Sequence, residues 1–171
     1  MRNTIASLLS IIGAGNDRKA LQDTLAPIVA QVNTQALNSA GLVISSTTTK
    51  AKIGASDFYA TVRGRLLKIA AATDMPALSG TVTNAKFNVF VFYVNASGTV
   101  SSAMGAEAGT LGGVVFPDLP TDQALIGFVI INPTGTGNFV GGTTPLGDLT
   151  VVPNAVYISP IGAVDPTILY S

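Results

Sequence analysis

The chain has 171 residues, nine basic and nine acidic, and no net charge. It contains no His, Cys or Trp, which removes imidazole bases, Ser–His–Asp and Cys–His nucleophiles, disulfides, and zinc or copper sites built on His or Cys. Charged residues make up only 11%, against roughly 25% in average soluble proteins, so Thr, Ser, Asn and Gly must cover the surface; this suits a β-protein that packs against neighbours, and also an ordinary secreted sandwich.

The few charges are unevenly spread. Residues 1–68 carry eight basic and three acidic side chains, whereas residues 69–171 carry one basic and six acidic. Such asymmetry either marks a partner-facing side or reflects two halves that pair within one molecule. The basic residues are scattered, with no aromatic interleaving, so no nucleic-acid partner is expected. No run reaches the roughly 18–20 apolar residues of a membrane span, so no membrane partner is expected either.

The first element is residues 1–14. Met1-Arg2 followed by an apolar run over 5–12 faintly resembles a secretion signal, but Ser7 and Ser10 interrupt it, and a short helix or arm is expected. Asn16 or Asp17 can then cap a helix running to about Asn38. Leu21, Leu25, Ile28 and Val32 are spaced 4, 3 and 4 apart and form one apolar stripe. Pro27 should kink or split this helix, and Gly41 is a plausible stop. The stripe packs either on the protein's own sheet or against the same helix of another subunit.

From residue 42 the pattern turns to strands. Residues 42–46 and 47–53 are short candidates. Residues 58–62 and 65–71 flank an Arg63-Gly64 turn. In 86–94, Phe87, Val89, Val91 and Tyr93 point one way and Phe90, Phe92 and Val94 the other. A strand apolar on both faces is central, or is covered on one face by another subunit. Asn95-Ala96-Ser97-Gly98 reads as a turn rather than a glycosylation site, and 99–104 returns. Residues 105–113 read as a loop and 114–116 as a short strand. Residues 125–131 form an apolar run buried on both faces, expected to make a hairpin with a return strand starting at 138–140 across a Gly-rich connection. Residues 148–152, 154–159 and 162–171 close the chain. The expected organisation is an N-terminal arm and helix over 1–41, followed by an antiparallel β-sandwich or barrel over 42–171.

Catalytic signatures are absent. The single glutamate, Glu107, falls in a loop, and nothing clusters it with an aspartate as a glycosidase pair would need. Asp118 and Asp122 flank Pro120 and read as turn residues. Gly135-Thr136-Gly137-Asn138-Phe139-Val140 has Val where a dinucleotide fingerprint needs its third Gly, and it leads into a strand. No calcium-loop pattern occurs. No cofactor or metal is expected.

Three elements carry a family resemblance. Ile126-Gly127-Phe128-Val129 follows a proline-containing lead-in. Phe139-Val140-Gly141-Gly142-Thr143-Thr144 then precedes Ala155-Val156-Tyr157, and the hairpin over 91–105 contains an Ala-Ser-Gly-Thr-Val turn. Over about 58–166 the chain resembles structural proteins of tailed bacteriophages, of the head-decoration or head-fibre kind. The resemblance implies a non-enzymatic virion component, a capsid decoration (cement) protein on the outer capsid surface. Its expected partners are the major capsid protein and two further copies of itself in a homotrimer. A tail, fibre or receptor-binding component is the alternative, followed by a carbohydrate-binding sandwich module. The candidate subunit or capsid contacts are Leu21, Leu25, Ile28 and Val32 on the helix, and Phe90 and Phe92 on the two-faced strand.

Overall fold

The computed structural model describes residues 15–120 and 122–165. The arm expected over 1–14 and the end of the tail lie outside them. The fold is mainly β: antiparallel sheets with a single α-helix among the described residues. The helix α1 spans Gly15–Val32; it ends six residues before the expected Asn38, and Pro27 does not split it. The strands are β1 Gln35–Ala36, β2 Val43–Ile44, β3 Ala51–Lys52, β4 Phe58–Val62, β5 Arg65–Ile69 and β6 Thr81–Val82. They continue with β7 Asn88–Asn95, β8 Val100–Met104, β9 Gln123–Ile131, β10 Phe139–Val140 and β11 Val156–Ile158.

Four strands in the order β11-β9-β7-β8 form the main sheet, and β1-β4-β5 form a second sheet. β2-β3 and β10-β6 are two-stranded ribbons. Because β1 pairs with β4, the chain joins the β body at Gln35, ahead of the boundary expected near Gly41. Among the described residues no sheet closes into a barrel.

The main sheet is apolar on both faces because each face is covered by the chain itself. On one face Phe90, Phe92, Val94 and Ile126 pack with Phe58, Val62, Leu67 and Ile69 of the second sheet. On the other, Val91, Tyr93 and Phe128 pack with Val114 and Phe116 of the 105–120 loop. The two-faced pattern of β7 therefore marks a central strand, flanked by β8 and β9. Phe139 is buried against Phe90 with ring centroids 5.8 Å apart at 64°, an edge-to-face contact. Phe139→Ala should cost about 3–5 kcal/mol, read as a lower midpoint in urea unfolding with unchanged slope.

β9 contains a change of phase. Ala124 and Ile126 face the first cluster and Leu125 the second, but beyond Gly127 the even positions 128 and 130 face the second. Register with β7 slips between Phe92 and Tyr93, which face Gly127 and Leu125, leaving Ile126 as the extra residue of a bulge. One inserted residue turns every later side chain to the opposite face.

The hairpin expected between 125–131 and 138–140 does not form. β9 pairs with β7 and β11, while β10 pairs with β6. The Gly-rich connection is drawn away by Asn84, whose amide donates to the carbonyls of Gly135 (2.8 Å) and Gly137 (3.0 Å). Its backbone N–H donates to Asn138 Oδ1 at 2.9 Å. Gly135 must be glycine, since a Cβ there would lie 1.8 Å from the Thr150 carbonyl oxygen.

Two further strand expectations become turns or bridges. Over 148–152, Asp148 Oδ1 accepts from the Thr150 N–H (2.8 Å) and hydroxyl (2.6 Å), curling the backbone. Of 114–116 only Val115 makes a ladder contact, with Ala106. The turn at 95–98 forms as expected: Asn95 Oδ1 accepts from the backbone N–H groups of Ser97 and Thr99, both at 3.0 Å.

Candidate functional site

The helix stripe is the most conspicuous unpartnered feature among the described residues. Leu25, Ile28, Val29 and Val32 are all exposed, Ile28 to 53% and Val32 to 64%; Leu21 is half-buried. Single exposed aliphatics are ordinary, but four on one face of one helix are a contact surface without a contact. The expectation that this stripe covers the protein's own sheet is therefore not met, since the main sheet is closed by other elements.

Phe90 and Phe92 require a correction. They are 1% and 0% exposed, inside the cluster formed with the second sheet, and cannot touch a partner while the body is folded. Their role is core packing. The structure thus keeps Leu25, Ile28 and Val32 together on an accessible face, and separates Phe90 and Phe92 from them.

The foot of the helix is fixed to the body. The Asn33 N–H closes the last turn onto the Val29 carbonyl at 3.0 Å. The Asn33 carbonyl accepts from the Gly64 N–H at 3.1 Å, and Thr34 Oγ1 accepts from the Arg63 N–H at 3.0 Å. Arg63 and Gly64 form the two-residue β4–β5 turn, both with positive φ (52° and 78°), as a primed hairpin turn needs. Only Asn33 and Thr34 separate α1 from β1, and both are held by this turn.

Beside the foot lies a depression of about 530 Å³, counted out to open solvent, between Thr34–Gln35, Leu119–Pro120 and Gly162–Asp165. It holds one carboxylate and no nucleophile–base pair, so no reaction is assigned to it. Beside its Leu125 wall stands Tyr93, paired with Leu125 in the ladder. The Tyr93 hydroxyl is buried without a hydrogen-bond partner in the protein. Burial, helped by the charges of Asp118 and Asp165, pushes the phenol up to about 12. A raised phenol favours the folded state fully below its ordinary value near 10 and loses that contribution as pH climbs toward 12. Tyr93→Phe removes an orphaned hydroxyl, so it should leave neutral-pH stability equal or higher by about 1 kcal/mol. It should also move the alkaline unfolding limit upward, measured by thermal melts between neutral and alkaline pH.

The remaining acidic groups with shifted protonation are structural. Glu107 accepts from the Thr83 N–H and hydroxyl, both at 2.9 Å; these bonds hold its carboxyl below the usual range. Asp57 is likewise lowered, first by its contact with Lys68 at 2.7 Å and then by the Ala71 N–H. Both partners of that contact come from the basic half of the chain.

A second exposed apolar surface escaped the sequence reading. β4 and β5 alternate, with Phe58, Ala60, Val62, Leu67 and Ile69 inward. Outward, Tyr59 and Leu66 are exposed, joined by Leu37 just beyond β1. The adjacent pair Leu66-Leu67 carried the signal: neighbours in a strand point to opposite faces, so one of two consecutive leucines must face outward.

No family model matches the chain, and no curated protein or solved structure matches it.

Proposed function

We propose that this protein is a non-enzymatic structural component of a virion, a capsid decoration protein that binds the major capsid protein on the outer surface and assembles as a homotrimer. The observation that carries the assembly reading is the exposed stripe Leu25, Ile28, Val29 and Val32 on a helix whose foot is pinned to a body with its own core. The β body has its own two-sided core and needs no help from the helix. A helix that adds nothing to its own core yet keeps an apolar face is built for another surface.

The virion setting rests on the resemblance over 58–166 to structural proteins of tailed bacteriophages. The weakly charged surface and the lack of His and Cys agree with a role in packing rather than in chemistry. The test is cryo-electron microscopy of particles with and without the protein. Density on the outer capsid that vanishes in the deletion supports the reading. Density at the tail overturns it and moves the protein to the tail or fibre class.

A further inference from the structure

We infer that two copies of this chain join edge to edge through β8, as an antiparallel pair centred on Ser102. β8 is the outer strand of the main sheet. The phase of its ladder decides which backbone groups point away from β7. The Asn95 N–H donates to the Thr99 carbonyl at 3.1 Å, and the Gly105 N–H donates to the Val89 carbonyl at 2.9 Å. Between these two bonds β7 and β8 keep an unbroken register. The odd positions 99 to 105 therefore bond inward to β7, and Val100, Ser102 and Met104 turn their N–H and C=O groups outward. Among the described residues nothing bonds to those outward groups.

An edge of this kind is normally guarded by a charge, a proline, a bulge or a covering segment. β8 has none of these. No charged residue occurs between Lys86 and Glu107. The protein covers the edge only one step further on, where Ala106, next in the outward phase, exchanges both backbone bonds with Val115 (2.8 and 3.3 Å). Pro117 follows two residues later and has no N–H, so it cannot carry that pairing on to Met104. At the other end the positive φ of Gly98, 85°, turns the chain back toward β7. The open run is therefore Val100–Met104 and no longer.

The occupant that fits is the same run of a second copy. About a two-fold axis through Ser102, Val100 of each copy meets Met104 of the other and Ser102 meets Ser102, so every outward backbone group meets an outward backbone group. The side chains agree with the backbone. Val100 and Met104 already pack against the first core cluster; across the axis they form two apolar cross-strand pairs, with the two Ser102 hydroxyls bonded between them. An uncharged run whose outward positions read apolar, Ser, apolar is its own complement. Five residues at about 3.3 Å each make a strip roughly 17 Å long, which hides well under the roughly 1,200 Å² of a stable interface. The pair is therefore weak in free solution and leaves the assembly at micromolar concentration unchanged. It acts where copies are held side by side and meet at roughly millimolar effective concentration. That use rests on the capsid setting proposed above; the pairing itself does not.

The chain has no cysteine, and the two-fold pair places the Ser102 Cα atoms about 5.5 Å apart, inside the roughly 4.4–6.8 Å range of a disulfide. At equal, near-millimolar protein concentration, Ser102→Cys is expected to oxidise to a linked dimer at least tenfold faster than Ser97→Cys, an exposed turn position outside the pairing. Equal rates overturn the inference. Sedimentation in the same range should show the wild-type chain adding an association step that Ser102→Pro lacks. Ser102 gives no bond to β7, so the proline removes only an outward donor. If it lowers the urea midpoint, Ser102→Lys guards the same edge and leaves the backbone intact. Association of both variants as in wild type overturns the inference too. Their mass at micromolar concentration should match wild type, because that mass reads the helix stripe; failure here and failure of the self-association proposed above are thus seen separately. No linkage in Ser102→Cys, with capsid binding lost in Ser102→Pro, would assign the edge to a strand of another protein and overturn the second copy as its occupant.

Discussion

Gly127→Val is expected to abolish the native fold, or to lower its stability by more than about 3 kcal/mol. A Cβ at this position would lie 2.4 Å from the Ile158 carbonyl oxygen and 2.8 Å from Leu42 Cδ1. The first contact is backbone of β11, paired with β9 at Phe128, and backbone cannot step aside as a flexible side chain can. To admit even one methyl group, β11 must leave the sheet or the bulge at Ile126 must be undone. Undoing the bulge returns β9 to simple alternation and sends either Ile126 or Phe128 to the wrong face. Overpacking alone costs typically 1–3 kcal/mol, and loss of register adds to it. Urea unfolding followed by tyrosine fluorescence and circular dichroism measures this directly. Gly98→Ala is the matched control, because a Cβ at Gly98 meets nothing within 4 Å and its positive φ of 85° costs about 1–2 kcal/mol.

The second large effect concerns assembly rather than folding. The double variant Ile28→Asp, Val32→Asp places two carboxylates in the centre of the exposed stripe. In an isolated chain both positions face water, so the stability of the body should change by no more than about 0.5 kcal/mol. At an apolar interface each buried, unpaired carboxylate costs several kcal/mol, and every factor of 1.4 kcal/mol weakens association tenfold. A hundredfold or greater rise in dissociation constant is therefore expected, with circular dichroism of the strands unchanged. The margin is small to begin with. Each stripe residue already hides about half its surface, so four of them recover roughly 4 kcal/mol of the 1.5–3 kcal/mol apiece for full burial. That is the low end of the 4–15 kcal/mol cost of association, so a loss at the stripe is enough to dissociate a complex.

The central sheet was readable from residue order because its signals are local. Residues 125–131 and 86–94 are dense in β-branched and aromatic side chains, and both became long strands, β9 and β7. The helix was readable from the 4-3-4 spacing of Leu21, Leu25, Ile28 and Val32. Partner choice was less accessible. The Gly-rich connection after Ile131 signals a turn, but a turn does not say which strand follows beside which. Here a distant residue, Asn84, decides by binding the Gly135 and Gly137 carbonyls. The bulge was hidden because Ala124 to Ile131 is apolar at every position except Gly127, so a slip of phase leaves no trace in the pattern. Period also says nothing about what covers a face. It marked Phe90 and Phe92 as facing something apolar, and that something is the protein's own second sheet. It marked Leu25 and Ile28 in the same way, and among the described residues they remain uncovered.

The most direct measurement of the account is the mass of the wild-type protein in solution, by light scattering or sedimentation over a dilution series through the micromolar range. A trimer at micromolar concentration, dissociating on dilution and absent in the Ile28→Asp, Val32→Asp variant, is the predicted result. A folded monomer throughout the series, with α1 exposed and no change on substitution, would contradict it.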